Sequence, residues 1–361
     1  MDRERLRTAD SSRHTPCAGM SAHGVSGLLW LVAIASTACA APPPLPQPPA
    51  ELSRWLQPQE WVRDGEGPIV SLGKDGEFDD RHIFAPTVAE VEGRFSLWYS
   101  GSRGKPGERV FRLGLATSGD GRGFEKHAAN PVFEYGDGKH SVLTPTLLRR
   151  TDGTVLREEG KLRMWFAAAT LGKGGLHTLH ETRSEDGIRW SEPSSVLLEN
   201  VYCPTILKTE AGYRMWYSDV SRRPWVIRHA ESPDGRRWKV TERPALQLSQ
   251  DWEGEVLVYP TVVGADGAFL MWYGSYDRSI RREKTAIGFA ASTDGLVWHK
   301  LAANPVLRPE ERRPWESNYV GSGCIHRLAD GSFRYYYASR KQPPFENLYF
   351  AINTARWVPK H

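Results

Sequence analysis

Short apolar runs separated by turn residues fill most of the chain, and their spacing is that of β-strands. In EGEVLVYPTVVGADGAFLMWYGS, residues 253–275, an apolar run, an Asp-Gly pair and an aromatic-rich run follow one another. Asp-Gly provides the positive φ angle that a tight hairpin turn requires. The stretch therefore predicts an antiparallel β-hairpin, with Glu253 and Glu255 just before its first strand.

The same hairpin recurs along the chain. Its copies are APTVAEVEGRFSLWYS (85–100), TPTLLRRTDGTVLREEGKLRMWFA (144–167), CPTILKTEAGYRMWYS (203–218), YPTVVGADGAFLMWYG (259–274) and the degenerate GSGCIHRLADGSFRYYYAS (321–339). The Pro-Thr prolines of the first four copies stand 56–59 residues apart. A period of this length indicates a repeat architecture.

A second motif completes each of the first four units. A strand followed by Ser-x-Asp-Gly-x-x-aromatic appears in GLATSGDGRGF (114–124), HETRSEDGIRW (180–190), RHAESPDGRRW (228–238) and FAASTDGLVW (289–298). Each unit thus carries four short strands and no helical periodicity. The chain is predicted to be all-β, as a five-bladed β-propeller of four-stranded antiparallel blades.

The two ends of the repeat array complement each other. WVRDGEGPIV (61–70) resembles the fourth strand of a unit, and the last unit shows only three clear strands. We therefore expect the N-terminal strand to complete the last blade, which closes the ring and removes a sheet edge. A tandem pair of sandwiches is the alternative, but the single period and the displaced strand favour the propeller.

Residues 1–40 have the features of an export leader. The apolar run GLLWLVAIASTA (27–38) follows a basic segment, ends in small residues and is too short to span a bilayer. Residues 38–40 fit a signal-peptidase site, whereas residues 36–39 resemble a lipobox in which Cys39 is lipidated.

The Pro-rich residues 41–58 are predicted to be an extended linker, and residues 59–361 the propeller. We expect an exported protein, either periplasmic, secreted or an outer-membrane lipoprotein. Its only membrane contact would be a lipid on Cys39.

Composition excludes one class of partner. The formal net charge is +4, and no basic block or stripe suggests nucleic acid.

Cys203 and Cys324 are the two cysteines beyond the leader. A disulfide suits an exported protein, but they fall on innermost strands of non-neighbouring blades, so we expect buried free thiols. We expect no cofactor, no zinc site and a monomer.

The repeated motifs resemble those of a known group. Pro-(Thr/Ser)-apolar, (Met/Leu)-Trp-Tyr-(Ser/Gly), Ile-Gly-x-Ala-x-Ser-x-Asp-Gly-x-x-Trp and Asn-Pro-Val are together similar to the five-bladed propeller glycosidases. These are glycoside hydrolase families 32, 43, 62 and 117 and the related family 130 of mannoside phosphorylases and hydrolases. The resemblance covers residues 60–357 and implies an oligo- or polysaccharide substrate at the central mouth. Some relatives hold a structural Ca²⁺, which nothing in this sequence specifies.

Glycoside cleavage commonly uses two carboxyl groups, one as acid and one as base or nucleophile. The polar candidates before the innermost strands are Asp79, Asp80, His140, Glu199, Glu253, Glu255 and Glu316. Phe78-Asp79, Trp252-Glu253 and Trp315-Glu316 repeat an aromatic-acid pair, which favours a role in the fold, such as capping backbone donors.

Asp80, Glu199 and Glu255 lie outside that aromatic-acid pattern. We expect Glu255 to be the leading catalytic candidate, ahead of Asp80, Asp79 and Glu199. We expect His140 and Glu316 to bind substrate.

The resemblance does not supply a catalytic apparatus. In family 43 a catalytic Asp directly precedes the first-blade proline, and an acid Glu lies just before the third-blade proline. Those positions hold Ala85 and Tyr202-Cys203 here. This departure leaves room for a family 130-like arrangement or for a protein without catalysis.

The loops after the aromatic-rich strands are basic and are expected to face the same mouth. They carry Arg103, Lys105, Arg109, Lys173, His177, Arg222, Arg223, Arg278, Arg281, Arg282, Lys284, Arg340 and Lys341. We expect Arg103, Arg222 and Arg278 to bind substrate, and Trp225 to stack on a sugar face. A positive funnel suits an anionic ligand: a uronic acid, a sulfated sugar or the phosphate of a phosphorylase.

Three functions follow as hypotheses. The first is an exported glycoside hydrolase that acts on a glycan by paired-carboxylate chemistry. The second is a family 130-like glycoside phosphorylase, and the third is a non-catalytic carbohydrate-binding or scaffold propeller.

Overall fold

A computed structural model describes residues 47–105, 107–170, 175–277, 284–341 and 350–359. Its strands form five sheets of four or five strands, whose main strands pair antiparallel. The architecture is the five-bladed β-propeller that the repeats predict.

The first two blades follow two short N-terminal strands, β1 (Trp61–Arg63) and β2 (Val70–Ser71). Blade 1 contains β3 (His82–Val91), β4 (Arg94–Ser102), β5 (Arg112–Ser118) and β6 (Glu125–Lys126). In blade 2, β7 (His140–Leu147) is innermost, and β8 (Arg149–Arg150) then leaves the sheet to pair parallel with blade 3. The rest of blade 2 is β9 (Arg157–Glu158), β10 (Lys161–Thr170), β11 (Thr178–Ser184) and β12 (Leu198–Glu199).

The remaining blades repeat this order from the innermost strand outwards. Blade 3 contains β13 (Val201–Thr209), β14 (Gly212–Asp219), β15 (Val226–Ser232) and β16 (Lys239–Val240). Blade 4 contains β17 (Leu257–Ala265), β18 (Ala268–Asp277), β19 (Lys284–Ser292) and β20 (His299–Lys300). Blade 5 contains β21 (Tyr319–Arg327), β22 (Phe333–Arg340) and β23 (Phe350–Trp357).

The N-terminal strands complete blade 5. Strand β1 pairs antiparallel with β23, with Trp61 opposite Trp357, and β2 pairs with the same strand, with Val70 opposite Ile352. The predicted closure of the ring by the N-terminal segment is therefore confirmed.

The described part of the segment predicted as a linker begins at Gln47 and also makes contacts. A 3₁₀ helix covers Ala50–Leu52, and the side chains of Leu52 and Trp55 are buried in the core that blades 4 and 5 share. A second 3₁₀ helix, Pro314–Glu316, precedes β21. Within the described residues no helix is long and apolar enough to cross a membrane.

Each innermost strand has a bulge at the same point, where its register with the second strand shifts. The residues with positive φ there are Ala85 (54°), Thr144 (46°), Cys203 (52°), Tyr259 (58°) and Ser322 (51°). The first four precede the repeated prolines. Because a bulge inserts one extra residue, the alternation of side chains changes phase at this point in every blade.

Tryptophan side chains on the second strands join neighbouring blades. Their indole N–H groups donate hydrogen bonds to carbonyls of the Asp-Gly turns in the next blade. The pairs are Trp98–Gly187 at 2.8 Å, Trp165–Gly235 at 2.9 Å and Trp216–Gly295 at 2.8 Å. Cys203 and Cys324 are buried free thiols, as expected.

Candidate functional site

A cavity of about 230 Å³ lies where the innermost strands begin, and we call it the mouth cavity. Six aromatic rings line it: Phe84, Phe111, Tyr202, Tyr259, Tyr319 and Phe350. Its basic residues are His82, Arg109, His177 and Arg340. Leu143 and Ala338 complete the described lining, in which there is no carboxylate.

The two arginines of the mouth cavity lie next to a histidine and a tyrosine. Arg109 Nη1 lies 3.2 Å from His82 Nδ1, and the Arg340 guanidinium lies 4.2 Å from the centre of the Tyr319 ring. Burial, together with the charges of Arg109 and Arg340, holds the pKa of His82 well below its ordinary value. His82 is therefore neutral, and because an arginine can only donate, its Nδ1 accepts and its Nε2 carries the proton.

The opposite wall of the cavity comes from blades 2 to 4. Burial lowers the pKa of His177, so this side chain also favours the neutral form. Its ring packs edge-on against Tyr202 at 5.0 Å, and the hydroxyl oxygens of Tyr319 and Tyr259 lie 3.1 Å apart. The cavity thus has a charged side in blades 1 and 5 and an uncharged aromatic side in blades 2 to 4.

Below the mouth cavity, the channel between the innermost strands is almost filled. Its remaining space is about 40 Å³ and is lined by the repeated Pro-Thr segments. Tyr259 lines both spaces and so separates them.

The three acids of the aromatic-acid pattern are buried and serve the fold. Asp79, Glu253 and Glu316 accept hydrogen bonds from tyrosine hydroxyls of their own blades. The pairs are Tyr99–Asp79 at 2.7 Å, Tyr273–Glu253 at 2.8 Å and Tyr337–Glu316 at 2.6 Å. Each carboxylate also meets a cation: Lys126 at 2.6 Å, Lys300 at 2.5 Å and Arg63 at 3.0 Å, respectively. These contacts explain the repeat and give Asp79 and Glu316 a structural role.

The other three acids each stand two residues before an innermost strand, in the entry segments that we call the rim. Glu255 is 44% exposed, and its Oε2 lies 3.3 Å from Arg223 Nη1. Its backbone carbonyl accepts a hydrogen bond from the N–H of Trp225 at 3.2 Å. Glu199 is exposed at the end of β12. Asp80 is mostly buried and accepts a hydrogen bond from the N–H of Gly76 at 2.8 Å.

Trp225, which we expected to stack on a sugar, is half-buried next to the mouth cavity. Its ring lies 6.4 Å from that of Tyr202, which lines the cavity, and 5.1 Å from the guanidinium of Arg223. The structure therefore brings Trp225 and Arg223, from the loop between β14 and β15 of blade 3, next to Glu255, which precedes β17 of blade 4.

Three more of the predicted binding residues, His140, Arg103 and Arg222, lie outside the mouth cavity. His140 binds Asp137 through Nδ1 and packs on Tyr135 with ring centres 4.7 Å apart. Arg103 and Arg222 are exposed on loops. Arg278 lies outside the described residues.

Several cavity residues were not singled out from the sequence. Arg109, His177 and Arg340 belong to the basic loops, where nothing in the repeat distinguished them from exposed neighbours such as Arg103. His82 precedes the bulge, and its direction depends on a phase change that the alternation pattern does not show. No group of three or more His, Cys, Asp or Glu in the described part of the chain could hold a metal ion.

Comparisons with known proteins agree with this architecture. No protein-family model matches the chain. Two uncharacterized proteins of Mycobacterium tuberculosis, from strains CDC 1551 / Oshkosh and ATCC 25618 / H37Rv, are each 25% identical over 281 residues. The match covers 72% of this chain and 89% of each relative.

Among solved structures, a glycoside hydrolase superposes with a TM-score of 0.66 at 16% identity, covering 83% of this chain and 93% of its own. A member of glycoside hydrolase family 130, described with hydrolases that target β-1,2 mannosidic linkages in Candida mannan, gives 0.64 at 16% identity, covering 84% and 95%. An N-acetylgalactosamine deacetylase from F. plautii gives 0.63 at 12%, covering 82% and 95%. The chain thus has the five-bladed propeller fold of glycoside hydrolase-like proteins.

Proposed function

We propose that this exported protein binds a glycan with an anionic group in the mouth cavity and hydrolyses it with carboxylates of the rim. The observation that carries the proposal is the lining of the cavity, in which two guanidinium groups lie among six aromatic rings. Aromatic rings pack against sugar faces, and arginine binds carboxylate, sulfate and phosphate groups with paired hydrogen bonds. The glycoside hydrolase-like fold of the structural neighbours supports a glycan as the ligand.

Glu255 is the proposed proton donor or base of the reaction. It is accessible, and it adjoins Trp225, a ring on which a sugar leaving the cavity can stack. Hydrolysis needs one carboxylic acid to protonate the leaving oxygen while water is added at the anomeric carbon, aided by a second carboxylate. Glu199 and Asp80 are the rim acids proposed for that second role.

A second candidate function is binding without cleavage. It is favoured by the absence of any carboxylate from the described lining of the mouth cavity. In a phosphorylase, the third alternative, the same two arginines would hold inorganic phosphate, which attacks the anomeric carbon in place of water.

An array of acidic and neutral glycans, followed by a reducing-sugar assay with and without phosphate, tests the proposal. We expect binding to acidic glycans and release of reducing ends that does not need phosphate. Binding without release supports the second candidate, and phosphate-dependent release supports a phosphorylase. Equal binding of neutral and acidic glycans would contradict the anionic ligand.

Arg109→Gln removes one cavity cation and is expected to weaken binding of acidic glycans at least about tenfold, because a charge-assisted hydrogen-bond pair is lost. Arg189→Gln is the matched control. Arg189 is 90% exposed and pairs with Asp186 in a turn of blade 2, so its removal should leave binding unchanged.

A further inference from the structure

We infer that the mouth cavity accepts one sugar unit at the end of an acidic glycan, so that the protein acts on chain ends and not within chains. The inference rests on the proposed function, whose glycan ligand it takes as given.

The size of the mouth cavity limits what it can hold. Its volume of about 230 Å³ is below the roughly 300–1,000 Å³ of sites that enclose drug-sized ligands. A single sugar ring with its acidic substituent is a ligand of this size. Two linked sugar rings would exceed it, so the second unit must lie outside the cavity.

The floor of the cavity prevents a chain from continuing inwards. Tyr259 separates the mouth cavity from the channel, and its hydroxyl meets that of Tyr319 at 3.1 Å. The space beneath it is only about 40 Å³, and one water molecule in the liquid occupies about 30 Å³. The channel therefore has room for water and no room for a sugar.

The far end of the channel is also barred, by the side chain of Arg149. This residue of β8 is 4% exposed, and its guanidinium reaches from blade 2 to blades 1 and 5. It donates hydrogen bonds to Val88 O at 2.6 Å, Thr87 Oγ1 at 3.2 Å and Cys324 Sγ at 3.3 Å, in blades 1 and 5. A glycan that enters the mouth can therefore leave only through the mouth.

The distribution of charge orients the bound unit. Arg109 and Arg340 lie on the side formed by blades 1 and 5, so the acidic group of the terminal sugar points there. Because the bound chain can leave only through the mouth, the glycosidic oxygen of this unit points outwards, where Tyr202 leads to Trp225 and Glu255 at the rim. The bond between the first and second sugar units thus lies next to the accessible carboxylate.

Calorimetric titration with galacturonic acid, trigalacturonic acid and polygalacturonate, and with glucuronic acid and glucuronic acid oligomers, tests this inference. Galactose and glucose are the neutral controls. We expect an acidic monosaccharide to bind at least about tenfold more tightly than its neutral counterpart, because only it pairs with the arginines. Binding sites on the polymer should be counted one per chain, whatever the number of sugars.

Different results would contradict the chain-end inference and the proposed glycan function. Several binding sites along each polymer, or digestion to internal fragments, would overturn the chain-end inference and leave the proposed glycan function intact. If no acidic sugar or polymer binds, the proposed function fails and this inference fails with it. If cleavage is found, we expect monosaccharide as its first product.

Discussion

The hydroxyl of Tyr273 donates a hydrogen bond of 2.8 Å to the buried carboxylate of Glu253. Blades 1 and 5 repeat the relation with Tyr99 and Asp79 and with Tyr337 and Glu316. Within each pair, the carboxylate raises the tyrosine pKa, although burial of the ring is the larger cause. The pair ties the segment before the innermost strand to the second strand of the same blade.

Replacing Tyr273 by Phe tests how much this tie contributes. The variant removes a hydrogen bond to a charged group, so we expect the free energy of unfolding to fall by about 1.5–3 kcal/mol. Urea unfolding measures the change. Tyr217→Phe is the matched control, since Tyr217 holds the same position in blade 3, which has no aromatic-acid pair before its innermost strand. An equal loss in both variants would contradict the role assigned to the carboxylate.

Glu253 and Glu255 are two residues apart, and their replacements should act on different properties. Glu253→Gln leaves Lys300, 5% exposed, without its carboxylate, and breaking such a buried pair typically costs about 3–5 kcal/mol of stability. Glu255→Gln breaks an ion pair between half-exposed side chains, which is expected to cost no more than about 1 kcal/mol.

The same two variants should also differ in the rate of glycan hydrolysis, and here the larger loss is expected for Glu255→Gln. Glu255→Gln is expected to abolish glycan hydrolysis in the reducing-sugar assay, whereas folded Glu253→Gln should retain it. Hydrolysis at the wild-type rate by Glu255→Gln would remove Glu255 from the proposed mechanism.

Gly187 tests the contact between blades 1 and 2. Its φ angle is +77°, and a Cβ atom there would lie 2.7 Å from Trp98 Cζ2. Gly187→Ala therefore adds a steric clash to the strain of a positive φ, and we expect a loss of roughly 2–4 kcal/mol. Gly267→Ala is the control, because Gly267 has a φ of +80° and no atom within 4 Å of the added Cβ. It should lose only about 1–2 kcal/mol, and thermal unfolding compares the two.

His229 makes stability depend on pH. Burial lowers the pKa of His229 from 6.5 to about 3, and the charge of the nearby Arg214 is the second cause of this shift. Below pH 6.5 His229 therefore takes up a proton in the unfolded chain but not in the folded protein. The free energy of unfolding falls as the pH falls towards 3. The loss from this residue is about 1.4 kcal/mol per pH unit.

Urea unfolding at several pH values between about 6.5 and about 5 checks this slope. His229→Gln keeps an acceptor for Arg214 Nε, which lies 3.0 Å from His229 Nε2, but cannot titrate. Its slope should be smaller than that of the wild type by about 1.4 kcal/mol per pH unit. Identical slopes would show that His229 does not titrate as described.

The fold could be predicted from the sequence because every blade repeats the same short motifs. The Pro-Thr hairpins, the Asp-Gly turns and the interblade tryptophans each recur in the sequence at a regular spacing. The same logic separated Glu253 from Glu255, since a residue that recurs by blade serves what all blades share.

The site was harder to predict because it depends on differences among the blades and on the phase of each strand. His82 and Phe84 face the mouth cavity only because of where the bulge at Ala85 falls. Arg109 and Arg340 converge although more than two hundred residues separate them. Neither relation leaves a periodic signal, so the sequence indicated a basic mouth without showing which cations line it.

The pairing of β1 with β23 has a consequence for synthesis and transport. The first strand of the propeller finds its partner only after the last residues have left the ribosome, so the ring cannot close on an incomplete chain. Contacts between such distant residues also form slowly. For the export that we propose, this pairing means that the ring closes only when both ends of the chain are on the same side of the membrane.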